Sequence, residues 1–208
     1  MTNKDDDKVF DSKVITLGDS GVGKTNLIFR FIDDNFILNH FSTFGIDTKF
    51  KNVKLENGNE IKFKIYDIAG QERFKSISNN YIKKAHGILL MYDITDQNSF
   101  NNIKNWMETI NENAGSKMPI VLIGNKCDLN DERKISMEIG KNLADEFGIH
   151  FFETSSKDNI NIEKAFYDVA EQIIEKNKGK KVFNNNLELD KKINKKSECC
   201  LDKKKVNK

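Results

Sequence analysis

The chain has 208 residues, 38% hydrophobic and 32% charged, with a formal net charge of +2. That length suits one globular domain with appendages, and no uncharged apolar run reaches the roughly 18 residues of a membrane-spanning helix, so a soluble, cytosolic protein is expected. The small net charge hides an asymmetry: residues 178–208 carry eleven lysines against Glu188, Asp190, Glu198 and Asp202, which gives +7 and leaves −5 for the rest. Positive charge confined to one end, without a recognition motif, speaks against a nucleic-acid binder.

The start, Met1 to Lys8, has no apolar stretch to act as a signal peptide and no Gly at position 2 for myristoylation, so residues 1–8 are expected to be flexible. The first element is a β-rich run, Val9 to Leu17, ending at Gly18 and followed by a helical pattern from Thr25 to Asp33 with Leu27, Ile28 and Phe31 facing inward. Two alternating stretches follow, Lys49 to Leu55 and Ile61 to Asp67; the Asn57-Gly58 between them predicts an antiparallel hairpin. The remainder reads as strand Gly87 to Tyr92, helix Ser99 to Asn113, strand Ile120 to Gly124, helix Met137 to Phe147, strand His150 to Glu153 and helix Ile162 to Lys176. Alternating strands and helices predict an α/β fold, with a mixed, mostly parallel six-stranded sheet covered by helices on both faces. The continuously apolar runs at 14–17, 88–92 and 120–123 are expected at its centre. Residues 177–208 are Asn- and Lys-rich, with too little apolar content to offset ordering, and are expected to form a flexible basic tail. The three cysteines, Cys127, Cys199 and Cys200, are too few for a disulfide framework and are expected to be reduced.

Four loops carry the chemistry. Gly18-Asp19-Ser20-Gly21-Val22-Gly23-Lys24-Thr25 has phosphate-loop spacing and lies between a buried strand and a helix. Its backbone N–H groups and the helix N-terminus can cradle phosphates, Lys24 can reach them as a point charge, and the Thr25 hydroxyl can ligate Mg²⁺. Alone, this loop does not distinguish ATP from GTP. Asp67-Ile68-Ala69-Gly70-Gln71 places an acid at a strand end, where it can hold Mg²⁺ through a water. The Gly70 N–H is open to a γ-phosphate, and Gln71 can orient an attacking water without becoming charged, which makes Gln71 the candidate catalytic residue.

Asn125-Lys126-Cys127-Asp128 follows a buried strand at the sheet edge where ligands of open α/β sheets bind. Guanine presents adjacent N1–H and N2–H₂ donors that one carboxylate can accept, adenine does not, and Asp128 therefore selects guanine. Ser155, Ser156 and Lys157, at the end of the next strand, can offer backbone N–H groups to guanine O6, while the stems of Lys126 and Lys157 cover the ring faces.

These phrases, with Phe44-Gly45-Ile46-Asp47 and Lys62-Phe63-Lys64-Ile65-Tyr66-Asp67, make residues 9–176 similar to the Rab family of small GTPases in the Ras superfamily. The resemblance implies the P-loop GTPase fold with about five helices and a GTP-binding domain over 9–176. It implies GTP or GDP held by residues 19–26, that is Asp19, Ser20, Gly21, Val22, Gly23, Lys24, Thr25 and Asn26, together with Thr43, Gly70, Asn125, Lys126, Asp128, Ser155, Ser156 and Lys157. Mg²⁺ would be held by Thr25 and Thr43 and, through water, by Asp67. Residues 36–47 and 67–82 would be the two switches, reading out slow GTP hydrolysis as effector recruitment in vesicle traffic. The effector surface would comprise Phe44, Gly45, Ile46, Asp47, Thr48, Tyr66 and Tyr81. Here Phe44 stands for the usual Ile, Thr48 for Phe and Tyr66 for Trp; Ile68 for Thr and Ser156 for Ala look compatible with nucleotide binding. Cys199 and Cys200 are the lipidation candidates, although eight residues follow them. Implied partners are effectors, an exchange factor, a GTPase-activating protein, a prenyl-chaperone-type protein and the cytosolic face of a membrane, met by a monomer. A nucleotide-bound scaffold that no longer cycles is the second reading, favoured by the altered effector surface and opposed by Thr43 and Gln71.

Overall fold

The computed structural model describes residues 9–38, 45–56, 58–68, 75–115 and 117–178, with the side chains of 75–78 left aside. The chain divides into two units, Met1–Ile173 and Ile174–Lys208; of the second, only 174–178 are described, and they are helical.

The six strands are β1 (Val9–Leu17), β2 (Ile46–Lys54), β3 (Glu60–Ile68), β4 (Gly87–Asp93), β5 (Ile120–Asn125) and β6 (His150–Thr154), in the order β2-β3-β1-β4-β5-β6. β2 runs antiparallel to β3, and every other pairing is parallel. The apolar runs in β1, β4 and β5 lie side by side, as continuous hydrophobicity requires of strands covered on both faces. The hairpin forms as the sequence predicts, with Leu55 donating to Asn59 at 2.9 Å and Gly58 at φ +82°. β2 starts at Ile46, three residues before the predicted Lys49, because pairing continues to Ile46 opposite Ile68.

The helices are α1 (Lys24–Asp33), α2 (Lys75–Ile82), α3 (Gln97–Asn101), α4 (Ile103–Asn113), α5 (Met137–Phe147) and α6 (residues 162–178). The predicted helix 99–113 begins earlier and is broken in two. The Asp96 side chain caps α3 by accepting from the Asn98 N–H, and Asn102 then separates α3 from α4. α2 was not foreseen as an element. On one face of the sheet, Phe31 of α1 stacks on Phe166 of α6 with centroids 3.8 Å apart, and Phe63 of β3 meets both rings edge-on. Among the described residues no helix is long and apolar enough to cross a membrane.

Candidate nucleotide site

β1 is flanked by β3 on one side and β4 on the other, so the chain reverses its direction of winding there and opens a crevice beyond the carboxyl ends of these strands. The Gly18–Thr25 loop leaves β1 at that crevice. Gly18 has φ +137°, and a Cβ there would lie 2.2 Å from the Met91 carbonyl oxygen; at Gly23, φ +95°, a Cβ would lie 2.4 Å from Asn125 Nδ2. Only glycine lets the loop lie this close to β4 and β5.

Lys24, the first residue of α1, is 6% exposed. Its Nζ donates to the Gly18 and Asp19 carbonyls at 2.9 and 2.7 Å. Burial lowers its pKa to about 8, against the opposing pull of Asp67 and then Asp19. The next residue, Thr25, donates from its hydroxyl to Asp67 Oδ2 at 2.5 Å. A hydroxyl and a carboxylate from opposite sides of the crevice thus meet beside a buried ammonium, a hard oxygen donor pair that fits Mg²⁺ next to a site for an anion. Asn26 turns away and exchanges hydrogen bonds with the backbone of Ile37 at 3.1 and 3.3 Å.

The base side is assembled from β5 and β6. Asn125 is buried and reaches across the crevice, donating from Nδ2 to the Val22 carbonyl at 2.8 Å and accepting at Oδ1 from the Thr154 hydroxyl at 3.0 Å. Asn125 therefore braces the phosphate loop against the base loop. Ser155 Oγ donates to Asp128 Oδ1 at 2.6 Å and accepts from the Asp158 N–H at 3.0 Å, which orients the Asp128 carboxylate. Lys126 adopts φ +66°, and its Nζ pairs with Asp93 Oδ2 at 2.6 Å, while Asp93 Oδ1 accepts from the backbone N–H and hydroxyl of Thr95.

Several contributors were invisible in the motifs. The Asp19 carboxylate is gripped at the start of α4, accepting from Trp106 Nε1 of that helix at 2.9 Å and from Nδ2 of Asn102, the residue just before it, at 2.6 Å. Four-residue spacing puts Asn102 and Trp106 on one helix face, but nothing in sequence shows which loop that face meets. Arg30 and Asp93 were likewise missed. Glu153, before the base loop, holds Arg133 through two hydrogen bonds of 2.5 and 3.0 Å. Of the expected effector residues, Ile46, Asp47 and Thr48 lie on β2 opposite Ile68, Asp67 and Tyr66, and the Tyr66 and Tyr81 rings meet edge-on at 4.9 Å. Thr43, Phe44, Gly70, Gln71, Cys199 and Cys200 lie outside the described residues.

Comparison with known proteins agrees with this geometry. The Ras family model matches residues 13–175. The chain is 49% identical over 174 residues to the Ras-related protein Rab-13 of Bos taurus, covering 84% of this chain and 85% of that protein. It is 50% identical over 161 residues to the Ras-related protein RIC1 of Oryza sativa, covering 77% and 79%, and 49% identical over 164 residues to human Rab-8B, covering 79% of each. The family match and this degree of likeness over most of the chain lead to one assignment: the chain belongs to the Ras family as a Rab small GTPase, an enzyme of vesicle traffic that binds GTP and GDP with Mg²⁺ and hydrolyses GTP.

Proposed function

We propose that residues 18–25 hold the phosphates, that Thr25 and, through water, Asp67 hold Mg²⁺ with Thr43 joining in the GTP state, and that Asp128 with the Ser155-Ser156-Lys157 loop reads guanine. The observation that carries this reading is the meeting of the Thr25 hydroxyl and the Asp67 carboxylate at 2.5 Å beside Lys24. When bound, Mg²⁺ would neutralise charge on the phosphate oxygens. Lys24 supplies a fixed positive charge there, Gly70 a backbone donor, and Gln71 orients the attacking water. GTP then orders both switches, effectors bind that form through Phe44 to Thr48, Tyr66 and Tyr81, and hydrolysis releases them.

The test is to load the purified protein with GTP and follow phosphate release. The expected single-turnover rate is slow, roughly 10⁻⁴ to 10⁻² s⁻¹, and largely abolished by Gln71→Leu. Equal release by wild type and variant would remove Gln71 from its role. Tight GTP binding with no release by the wild type would replace the switch by a nucleotide-bound scaffold.

The finer location follows from the tail. A lipid on Cys199 or Cys200 beside Lys195, Lys196 and Lys203 to Lys205 combines the two weak signals that stable membrane anchoring needs, each lysine adding about 1 kcal/mol at an anionic surface. A prenyl-chaperone-type partner, an exchange factor, a GTPase-activating protein and a monomeric state complete this reading. Mass spectrometry of the protein from its native cells should find added lipid on these cysteines; free thiols throughout would sink the anchoring proposal.

A further inference from the structure

Arg30 lies in the last turn of α1, the helix that begins with Lys24 and Thr25. Its side chain is 14% exposed, and the three guanidinium nitrogens all donate hydrogen bonds. Nε donates to the Ser156 carbonyl at 2.8 Å and Nη2 to the Lys157 carbonyl at 3.0 Å, across 126 and 127 positions of chain. Nη1 turns back to the Asp34 carbonyl at 2.8 Å and the Asp34 carboxylate at 3.0 Å. Asp34 itself sits in the left-handed region, φ +49°, and also accepts from Asn159 Nδ2 at 3.2 Å. The end of α1 and the base loop are therefore tied into one network.

The consequence follows from peptide geometry. A trans peptide points its C=O and the following N–H to opposite sides. The Ser155 carbonyl is held by the Ile160 N–H at 2.9 Å, and those of Ser156 and Lys157 by Arg30. Fixing the Ser155 and Ser156 carbonyls fixes the N–H groups of Ser156 and Lys157 on the opposite side. The third, that of Asp158, is turned to Ser155 Oγ. Two donors are left in a defined direction, and the polar loop carrying them is closed at its base by the Ser155–Ile160 bridge.

We propose that Arg30 is a positioning residue for guanine recognition: by holding the Ser156 carbonyl, it aims the Lys157 N–H at O6 of the base, beside the Ser156 N–H that the Ser155–Ile160 hydrogen bond sets. The planar fork matters, because two carbonyls on successive residues need two donors at fixed separation, which a lysine ammonium does not offer. Since Arg30 and Lys24 share α1, six residues and roughly 9 Å apart, one rigid helix sets the phosphate and base ends of the site relative to each other. A partner that displaces the end of α1 would loosen the grip on the base. This inference rests on the reading of the Ser155-Ser156-Lys157 loop as the O6 donor.

The experiment compares dissociation of GDP with that of 2-aminopurine riboside diphosphate, which keeps both phosphates and the 2-amino group but lacks O6 and the N1 proton; the N1 change acts on Asp128 equally in every variant, so the comparison between variants reads the O6 contact. Wild type, Arg30→Ala and Arg30→Lys are measured in the presence of Mg²⁺. GDP is expected to leave Arg30→Ala roughly tenfold faster, the scale of one mis-aimed hydrogen bond, while release of the O6-free nucleotide changes less than twofold. Arg30→Lys, which retains the charge beside Asp34, is expected to fall between and guards against an alanine variant that fails to fold. Equal acceleration of both nucleotides would mean that Arg30 only supports the fold, and unchanged rates would mean it does nothing to the loop; either overturns the proposal. A wild type that does not prefer GDP would remove the O6 reading and this proposal with it, whereas a preference retained undiminished in both variants removes the role of Arg30 alone.

Discussion

Lys24 brings an ammonium into a pocket where its own chain offers it two carbonyl oxygens and, farther off, the charge of Asp67. Desolvation outweighs those partners and lowers the pKa to about 8, so the charge is a cost to the nucleotide-free fold that an anionic ligand relieves. The sign of the pH effect follows. Between about pH 8 and the ordinary lysine value of 10.5 the unfolded chain binds more protons than the folded one, so this lysine adds stability as pH rises through that window. Lys24→Met is therefore expected to leave the unfolding midpoint of nucleotide-stripped protein unchanged or higher near neutral pH and to remove the Lys24 share of its rise with pH. GDP affinity should fall by at least about a hundredfold, as expected when a buried phosphate loses its charge-assisted donor. Thermal unfolding of stripped protein and calorimetric GDP titration measure the two halves. A variant that loses stability without losing affinity would mean that Lys24 acts on the fold and not on the ligand.

The elements differ in how much of themselves they disclose in sequence. β1, β4 and β5 announce their central position by unbroken apolar runs, and the hairpin by Asn57-Gly58, because burial on two faces and a tight turn each leave a local composition. α2, Lys75-Ser-Ile-Ser-Asn-Asn-Tyr-Ile82, consists of weak helix formers after its first residue, and the sequence before it has no apolar periodicity. Its fully buried Ile82 and the contact of Tyr81 with Tyr66 are tertiary facts. The break at Asn102 was hidden for the opposite reason: apolar spacing continues through it, and Asp96, an evident cap in hindsight, begins the helical region two residues before the periodicity does. In α5 a glycine stands at a helical position, Gly140, where propensity favours alanine by about 1 kcal/mol. The explanation is on β4 and β6, since a Cβ there would lie 2.3 Å from the Tyr92 hydroxyl and 2.7 Å from Phe151 Cζ. The site was legible in the same uneven way. Gly18 to Thr25, Asp67 and Asp128 follow from spacing and strand ends, whereas Arg30, Asn102 and Trp106 act on residues 83 to 127 positions away. No local pattern encodes such pairings.

At the scale of the whole molecule, the proposed nucleotide site is drawn from the carboxyl ends of β1, β3, β5 and β6, with Asp93 at the end of β4 holding Lys126. Within the protein the phosphate and base halves are joined across the crevice by single side chains, Asn125 between Val22 and Thr154 and Arg30 behind the base loop. A nucleotide spanning both halves adds contacts that the unfolded chain cannot make, so folding and binding are linked. With free GDP and Mg²⁺ well above the dissociation constant, each tenfold rise in GDP is expected to add about 1.4 kcal/mol of stability. For a chain of this size that raises the unfolding midpoint by about 3 to 6 °C. Chelating Mg²⁺ at fixed GDP should lower the midpoint by weakening the nucleotide, because Thr25 and Asp67 then face the phosphates with no cation between them. ADP over the same range should leave the midpoint unmoved, since Asp128 has no pair of donors to accept from adenine. Thermal unfolding monitored by circular dichroism across a GDP series, an ADP series and a chelator series decides the matter. A midpoint indifferent to GDP would mean that the two halves of the crevice are not bridged by the ligand, and one equally raised by ADP would take base selection away from Asp128.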